Sequence, residues 1–144
     1  MIVGIVGSEG AKFTPETEEK ARIIIREIIN NAEPWAHVVS GGCHLGGIDI
    51  WAIEEARKLG VDVKEHRPAN LSWLSGYEPS NMLIAQDSDK VYCLTLKDLP
   101  PSYTGMTFPL CYHCGTKDHV KSGGCWTVKY AKKIGKLGEV IVIS

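Results

Sequence analysis

The sequence predicts an α/β fold, in which helices cover both faces of a parallel sheet of about five strands. Residues 2–6 form a continuous apolar run, which is typical of a strand buried on both faces of such a sheet. Further strand-length stretches alternate with segments whose apolar residues recur at helical spacing. This alternation predicts a doubly wound sheet. Glycine-rich turns follow the first two strands and open the last helix.

Composition limits the possible functions. A chain of 144 residues with 44% hydrophobic content is long enough for one domain with a real core, and we expect residues 1–144 to form a single domain. The net charge of −1 argues against a general polyanion binder, although six lysines cluster late in the chain. No apolar run is long enough to span a membrane, so we expect no membrane partner, a cytoplasmic location and reduced cysteines.

The first helix has clear start signals. After the strand at residues 2–6, a turn at residues 7–10 redirects the chain. Thr14 offers an N-cap hydroxyl, and Pro15 suits the first helical position. Apolar residues at helical spacing up to Ala32 predict a stripe that packs on the sheet.

The second strand, expected after Pro34, leads into the most glycine-rich loop of the chain. Four of its seven residues from 41 to 47 are glycines, which can adopt positive φ and let the backbone approach a ligand closely. The amides that begin the next helix, at residues 48–59, would point at that ligand. We therefore predict an anion site, best suited to phosphate; a tight turn without a ligand is the alternative interpretation.

The remaining elements complete the alternating pattern. Gly60 is expected to end the second helix in a left-handed conformation, and the polar third strand at residues 61–65 suggests a sheet edge. A loop at residues 71–77 carries Trp73 and Tyr77 and precedes a short helix at residues 78–86. The fourth strand is predicted at residues 90–95, the last helix at 127–136 and the fifth strand at 140–143.

The three glycine-rich stretches are predicted to meet at one place. Ligands of doubly wound sheets bind outside the carboxyl ends of the strands, where the strand order reverses. With a strand order of 3-2-1-4-5, the loops after strands one and four flank this crevice, and the loop after strand two lies beside them. A nucleotide-like ligand is therefore favoured over three unrelated turns.

An insert at residues 97–124 shows neither helical nor strand periodicity. Its length is unusual for a loop without regular structure. It contains a Cys-x-x-Cys pair followed by a histidine and a cysteine, a spacing typical of a structural zinc site. Metal binding would also supply the free energy that orders the insert. The alternatives are a loop without metal and an open site that activates water. The predicted ligands are Cys111, Cys114, His119 and Cys125. His113 is expected to point elsewhere.

Several motifs resemble the SLOG superfamily, a Rossmann-like group that joins the DNA-processing protein A family to the Lonely-guy phosphoribohydrolases. The resemblance covers nearly the whole chain and is closest to small members related to YpsA-type proteins. It rests on motifs spread along the sequence: Gly7-Ser8, Ser40-Gly41-Gly42 with Asp49 and Ala52, Trp73 before Gly76-Tyr77, Asn81 with Ala85 and Asp89, and Gly123-Gly124 with Thr127.

The resemblance implies that the chain binds a nucleotide or nucleotide derivative. Asp49 would organise its loop or contact a ribose hydroxyl, and Asn81 would line the same crevice. Glu9 and Gly46, which lie in the first and second loops, are included in the predicted site. The full predicted ligand-binding set is Gly7, Ser8, Glu9, Gly41, Gly42, Gly46, Asp49, Asn81, Gly123, Gly124 and Thr127.

The chain also departs from these families. Ser80 stands where many relatives have arginine, and the stretch that matches the Lonely-guy motif lacks its catalytic glutamate. Trp126 replaces a glycine of that motif, so its ring could close the pocket or stack on a base.

Three functions remain open. The favoured one is a sensor or carrier of a nucleotide-like small molecule. The second is a hydrolase or transferase acting at an N-glycosidic bond, with Asp49, Glu9 or Glu78 as the carboxylate. The third is binding of single-stranded DNA. The net charge argues against this function, so nucleic acid is expected to be an unlikely partner. The sequence decides neither whether a reaction is catalysed nor whether the chain forms a homo-oligomer.

Overall fold

The computed structural model describes residues 1–32 and 36–144, and the α/β fold predicted from the sequence is confirmed. Pro34, which placed the start of the second strand, lies outside the described residues. The strands are β1 (Ile2–Gly7), β2 (His37–Ser40), β3 (Asp62–Glu65), β4 (Lys90–Leu96) and β5 (Leu137–Ile143). The α-helices are α1 (Pro15–Asn31), α2 (Ile48–Lys58), α3 (Glu78–Asp87) and α4 (Gly123–Lys133). The strands pair in parallel in the predicted order, β3-β2-β1-β4-β5.

The sheet has a packed core on each face. Because side chains alternate along a strand, Val3 and Ile5 of β1 face α1 and α2, whereas Val6 faces α3 and α4. The first core includes Ile25 of α1 and Ile48 of α2, which are fully buried. This double coverage explains why β1 and β4, in the middle of the sheet, are nearly continuous apolar runs.

The signals predicted for the start of α1 and for the end of α2 are both present in the structure. The Thr14 side chain accepts a hydrogen bond from the Thr17 amide, and the Thr17 hydroxyl reaches back to Thr14 N at 2.8 Å, which forms a capping box. Gly60 has a φ of +70°, as a left-handed residue after α2 should.

Several local predictions were wrong, including the start of β5, which lies at Leu137 rather than at residue 140. Helix α4 begins at Gly123 rather than at residue 127 and ends at Lys133 rather than at residue 136, so the insert ends at Ser122. Ser122 is the N-cap, because its Oγ accepts a hydrogen bond from Gly124 N at 3.2 Å. Residues 73–77, expected to be a loop, form one turn of π-helix that runs directly into α3.

The helix lengths bear on the predicted absence of a membrane partner. Within residues 1–32 and 36–144, no helix combines the length and the apolar character that a bilayer span requires. Helix α1 has 17 residues and carries several charged side chains.

Candidate functional site

A cavity of about 390 Å³ opens at the carboxyl edge of the sheet. Its size falls within the range of small-molecule sites in proteins, which is roughly 300 to 1,000 Å³. The loops after β1 and β2, the start of α4 and the insert all contribute to its wall. The residues predicted for ligand binding that line it are Gly7, Ser8, Glu9, Gly46, Asp49, Asn81, Gly123 and Gly124.

Three other residues predicted for ligand binding lie behind this wall. A side chain on Gly41 would meet Asp49 Oδ2 at 2.8 Å, so this glycine makes room for the carboxylate. Gly42 has a φ of +59° and lies against Arg67. Thr127 is fully buried, and its Oγ1 has no hydrogen-bond partner among the residues that the structure describes. The structure does not bring these three to the cavity surface.

The first two loops are fixed to each other by backbone contacts. The Ile48 amide donates to Ser8 O at 3.2 Å, and Gly10 N donates to Leu45 O at 3.4 Å. Gly47 makes this docking possible, because its φ is +77° and a Cβ there would collide with Ser8 O. The second loop therefore has a definite position before any ligand binds.

The hydroxyl of Ser8 is hydrogen-bonded within the protein, to Thr95 of β4. Thr95 Oγ1 donates its proton to Val120 O at 2.9 Å, so the Ser8 hydroxyl is the donor in its 2.9 Å hydrogen bond with Thr95 Oγ1. This chain of bonds joins the loop after β1 to β4 and to the end of the insert. Any ligand contact from Ser8 would then come from an unused lone pair or from its backbone.

Asp49 is the acidic centre of the cavity floor. Burial raises the pKa of this half-buried carboxyl to about 7, although the amides of Cys43 and Gly7 donate to it and act in the opposite direction. These two bonds hold the loops after β1 and β2 around one carboxyl group. A group with a pKa near neutrality can also give or take a proton at physiological pH.

The variant Asp49→Asn is expected to change the pH dependence of stability. Since the folded pKa of Asp49 is raised from its ordinary value of 3.8 to about 7, its contribution is fully present below pH 4 and is lost as the pH rises towards 7. The free energy of unfolding should therefore fall over this window by at most about 4 kcal/mol more in the wild type than in Asp49→Asn. Urea unfolding of both proteins at several pH values measures the difference. Parallel curves would show that Asp49 is not titrating near neutrality in the folded state.

Two lysines bring positive charge to the cavity. Lys12 Nζ donates to Lys121 O at 3.2 Å, and burial lowers the pKa of Lys12 against the opposing effect of Glu9. Lys121 Nζ lies 4.4 Å from the centroid of the Phe108 ring, which holds the ammonium in place. Because burial disfavours the charged Lys12 ammonium, an anion in the cavity would stabilise it.

The start of α4 lies beside these lysines. A side chain on Gly124 would meet Cys93 Sγ at 2.7 Å and Gly7 N at 3.0 Å, so this glycine lets the helix approach β1 and β4 closely. Gly123, in contrast, faces open space. The positive end of an 11-residue helix therefore lies at the wall of the cavity that Lys12 and Lys121 also line.

Two phenols contact polar groups of the cavity. The Tyr77 hydroxyl lies 3.4 Å from Cys43 Sγ, and burial together with Cys43 and Asp49 raises the pKa of Tyr77 to about 12. Tyr77 is therefore a neutral hydrogen-bonding group at physiological pH. The Tyr103 hydroxyl, from the insert, lies 3.4 Å from Glu9 Oε1 and 3.2 Å from Met106 O, so its single proton is shared between these two acceptors.

Sequence reasoning missed the insert's part in the cavity. Tyr103, Met106 and Phe108 all line it, but no periodicity marks them in the sequence. Lys12 was not predicted as a site residue either, although a basic residue just after a glycine-rich turn can indicate an anion site. Trp126 does not line this cavity; its ring stacks on Tyr130 at 5.3 Å.

The predicted zinc ligands come together in the structure. The donor atoms of Cys111, Cys114, His119 and Cys125 all lie within 4.8 Å of one another, and we call these four residues the metal cluster. In a tetrahedral zinc site with Zn–S bonds of about 2.3 Å, the sulfurs are roughly 3.8 Å apart, so the arrangement fits this ion. Cys111, His119 and Cys125 are buried.

Backbone groups around Cys111 close a tight turn and favour the thiolate of this one residue of the metal cluster. Gly115 N donates to Cys111 O at 2.8 Å, and a φ of +70° at Gly115 closes the turn. Burial acts to raise the pKa of Cys111, but amides including those of Cys114 and Ser122 lower it to about 7, which favours the thiolate.

The histidine of the metal cluster is oriented by its neighbour. His119 Nδ1 lies 2.8 Å from Asp118 Oδ1, so Nε2 is left to face Cys125 Sγ at 3.6 Å. Cys93 is not among the predicted zinc ligands, yet its Sγ lies 3.9 Å from Cys125 Sγ. Cys93 therefore packs directly against the metal cluster from β4.

Comparison with known proteins relates the chain by fold. No protein-family model matches the sequence, and no curated protein matches it. A solved structure of DNA processing protein A from Helicobacter pylori, described for its single-stranded DNA binding mode, superposes with a TM-score of 0.54 at 18% identity. The match covers 97% of this chain and 64% of that chain, so the present chain spans less than two thirds of its length. The likeness supports a related fold, which is one part of the resemblance to the SLOG superfamily.

This comparison corrects one prediction. Nucleic acid was expected to be an unlikely partner because the net charge is −1. That expectation is contradicted, since a protein that binds single-stranded DNA has the same fold. Net charge was a poor guide because it averages over the whole surface, whereas binding depends on the local arrangement of lysines and aromatic rings.

Proposed function

We propose that the protein binds a nucleotide, or a small molecule derived from one, in the cavity at the carboxyl edge of the sheet. One observation carries this proposal: loops that are distant in sequence converge on a single cavity together with the ammonium groups of Lys12 and Lys121. The protein would act as a sensor or carrier of this ligand. The chain is proposed to be one domain that contains the insert.

The phosphate of the ligand is proposed to lie at the start of α4. Lys12, Lys121 and the helix dipole all favour an anion there, and Gly123 leaves room for one. Carboxylates are suited to ribose hydroxyls, so Asp49 and Glu9 are proposed to face the sugar. Both signs of charge in one cavity fit a sugar phosphate better than a bare anion.

The metal cluster is proposed to bind zinc in a structural role. All four positions of a tetrahedral shell can be filled by protein side chains, which is typical of structural rather than catalytic sites. Zinc would supply the free energy that orders the insert. No step of ligand binding requires the ion to contact the ligand.

Single-stranded DNA is a second candidate ligand. The fold shared with a DNA-binding protein favours it, and so does a second cavity of about 660 Å³ that is lined by α3, α4 and the insert. This cavity is lined by Trp126, Tyr130, Lys129 and Lys133 among others. Proteins that bind single strands stack the bases on aromatic rings and contact the phosphates with basic side chains.

Titrations with small ligands and with DNA separate these functions. We expect the four nucleoside monophosphates and ribose 5-phosphate to bind to the purified protein by calorimetry, without release of free base. Release of base would identify an N-glycosidic enzyme instead. A thymidine oligonucleotide that binds more tightly than any mononucleotide, with an affinity that falls steeply with salt, would favour the DNA function. Absence of binding by all the small ligands would refute the proposal.

A further inference from the structure

The insert supplies an apolar wall that a phosphate alone would not need. Tyr103, Met106 and Phe108 line the same cavity as the glycine loops. Met106 is 73% exposed and Phe108 is 37% exposed, so their apolar surface faces solvent at the cavity mouth. Exposed apolar side chains that rim a polar cavity are characteristic of a ligand site.

Few elements of regular structure hold this wall. The described part of the insert contains neither a helix nor a named strand, only an isolated bridge between Cys111 and Thr116. Its end is joined to β4, since Val120 N donates to Leu96 O at 2.7 Å. Both sides of the insert lie close in sequence to the metal cluster, since Phe108 lies three residues before Cys111 and Lys121 lies two residues after His119.

Phe108 connects the wall to the phosphate end of the cavity. The Phe108 ring contacts the Lys121 ammonium. It also packs edge-to-face with the Tyr112 ring, and the centroids of these two rings are 5.5 Å apart. A flat ring seated in the cavity would find Phe108 and Met106 on one side, and both pack well against aromatic surfaces. The wall and the two lysines thus face one ligand with an aromatic part and an anionic part.

We propose that the insert is the ring-recognition wall of the cavity, held by the metal cluster, and that the ligand is a phosphate carrying an aromatic base. This inference rests on the proposed function and names the part of the ligand that the glycine loops do not explain. It also assigns the metal cluster a role in ligand selection, because losing the metal would release Phe108 and Met106 from the cavity.

The test compares ligands with and without a base. For each protein, calorimetry gives the ratio of the affinity for the best-bound nucleoside monophosphate to the affinity for ribose 5-phosphate. Any movement of Lys121 affects both ligands through their phosphates, so the ratio reports on the ring alone. We expect Phe108→Ala to lower the ratio about tenfold, which is the usual scale of one base stacked on an aromatic side chain. Phe108→Tyr should keep the ratio close to that of the wild type.

Further variants test the role of the metal cluster. Cys114→Ser should lower the ratio as Phe108→Ala does, whereas Leu74→Ala, which removes a side chain 75% exposed outside the cavity, should not. If Cys114→Ser does not fold, Phe108→Ala and Phe108→Tyr decide. An unchanged ratio in Phe108→Ala, or a wild-type ratio near one, would overturn the inference and leave the phosphate site standing. Absence of binding by both ligand classes would refute the proposed function itself.

Discussion

Removal of the proposed zinc ion is expected to lower the melting temperature by about 10 °C or more. A metal present at a thousand times its dissociation constant stabilises the folded state by about 4 kcal/mol, and 1 kcal/mol corresponds to a few degrees in a chain of this size. The effect is large because Cys111 and Cys125 belong to the core between the sheet and α4, so losing the ion disturbs packing as well as the insert. Thermal unfolding with and without a strong chelator measures it.

The two histidines of the insert provide a matched pair of variants. His119→Gln should lose bound zinc and show the low melting temperature without chelator, because His119 belongs to the metal cluster. His113→Gln should keep one zinc per chain, because His113 lies outside that cluster. Metal content by atomic absorption, read beside the melting curves, distinguishes them. Equal zinc content in both variants would refute the assignment of the fourth ligand.

The variant Lys12→Met is expected to weaken nucleotide binding by about 10- to 100-fold, the cost of losing a charged hydrogen bond to a phosphate. The unliganded protein should be little affected, since burial already disfavours the Lys12 ammonium and methionine has a similar shape. The hydrogen bond of Lys12 to Lys121 O is worth about 1 kcal/mol. Calorimetry gives the affinity, and urea unfolding gives the stability.

Lys132→Met is the control for charge. Lys132 is exposed in the last turn of α4 and does not line the cavity, so this variant removes the same charge from the protein at a remote position. Its affinity for nucleotides should match that of the wild type. If the two variants lose affinity equally, the effect of Lys12 is one of net charge, and the phosphate does not lie beside it.

The sequence was sufficient for the fold because the fold depends on local patterns. Buried strands such as β1 are apolar on both faces, and helices such as α1 carry their own caps. The start of α4 was misplaced because two glycines are poor helix formers. Gly123 and Gly124 are helical owing to the Ser122 cap, which is a local interaction, and to the close approach of Gly124 to β1 and β4, which is a tertiary contact.

The site was predictable only in part. The glycine loops have sequence signatures, and the residues at their tips line the cavity as their positions suggested. Gly41 and Gly42 share the signature but serve the packing of Asp49 and the turn. Phe108 and Met106 reach the cavity through the three-dimensional path of an insert without periodicity, so no local pattern could have placed them.

The central claim is that amides and ammonium groups from separate loops bind one phosphate at the start of α4. Backbone amide chemical shifts, followed by NMR while a nucleoside monophosphate is added, test it most directly. We predict that the largest shifts occur at Glu9, Gly46, Gly123 and Gly124, which line one cavity. Shifts confined to the second cavity, around Lys129 and Tyr130, would contradict the claim and place the ligand elsewhere.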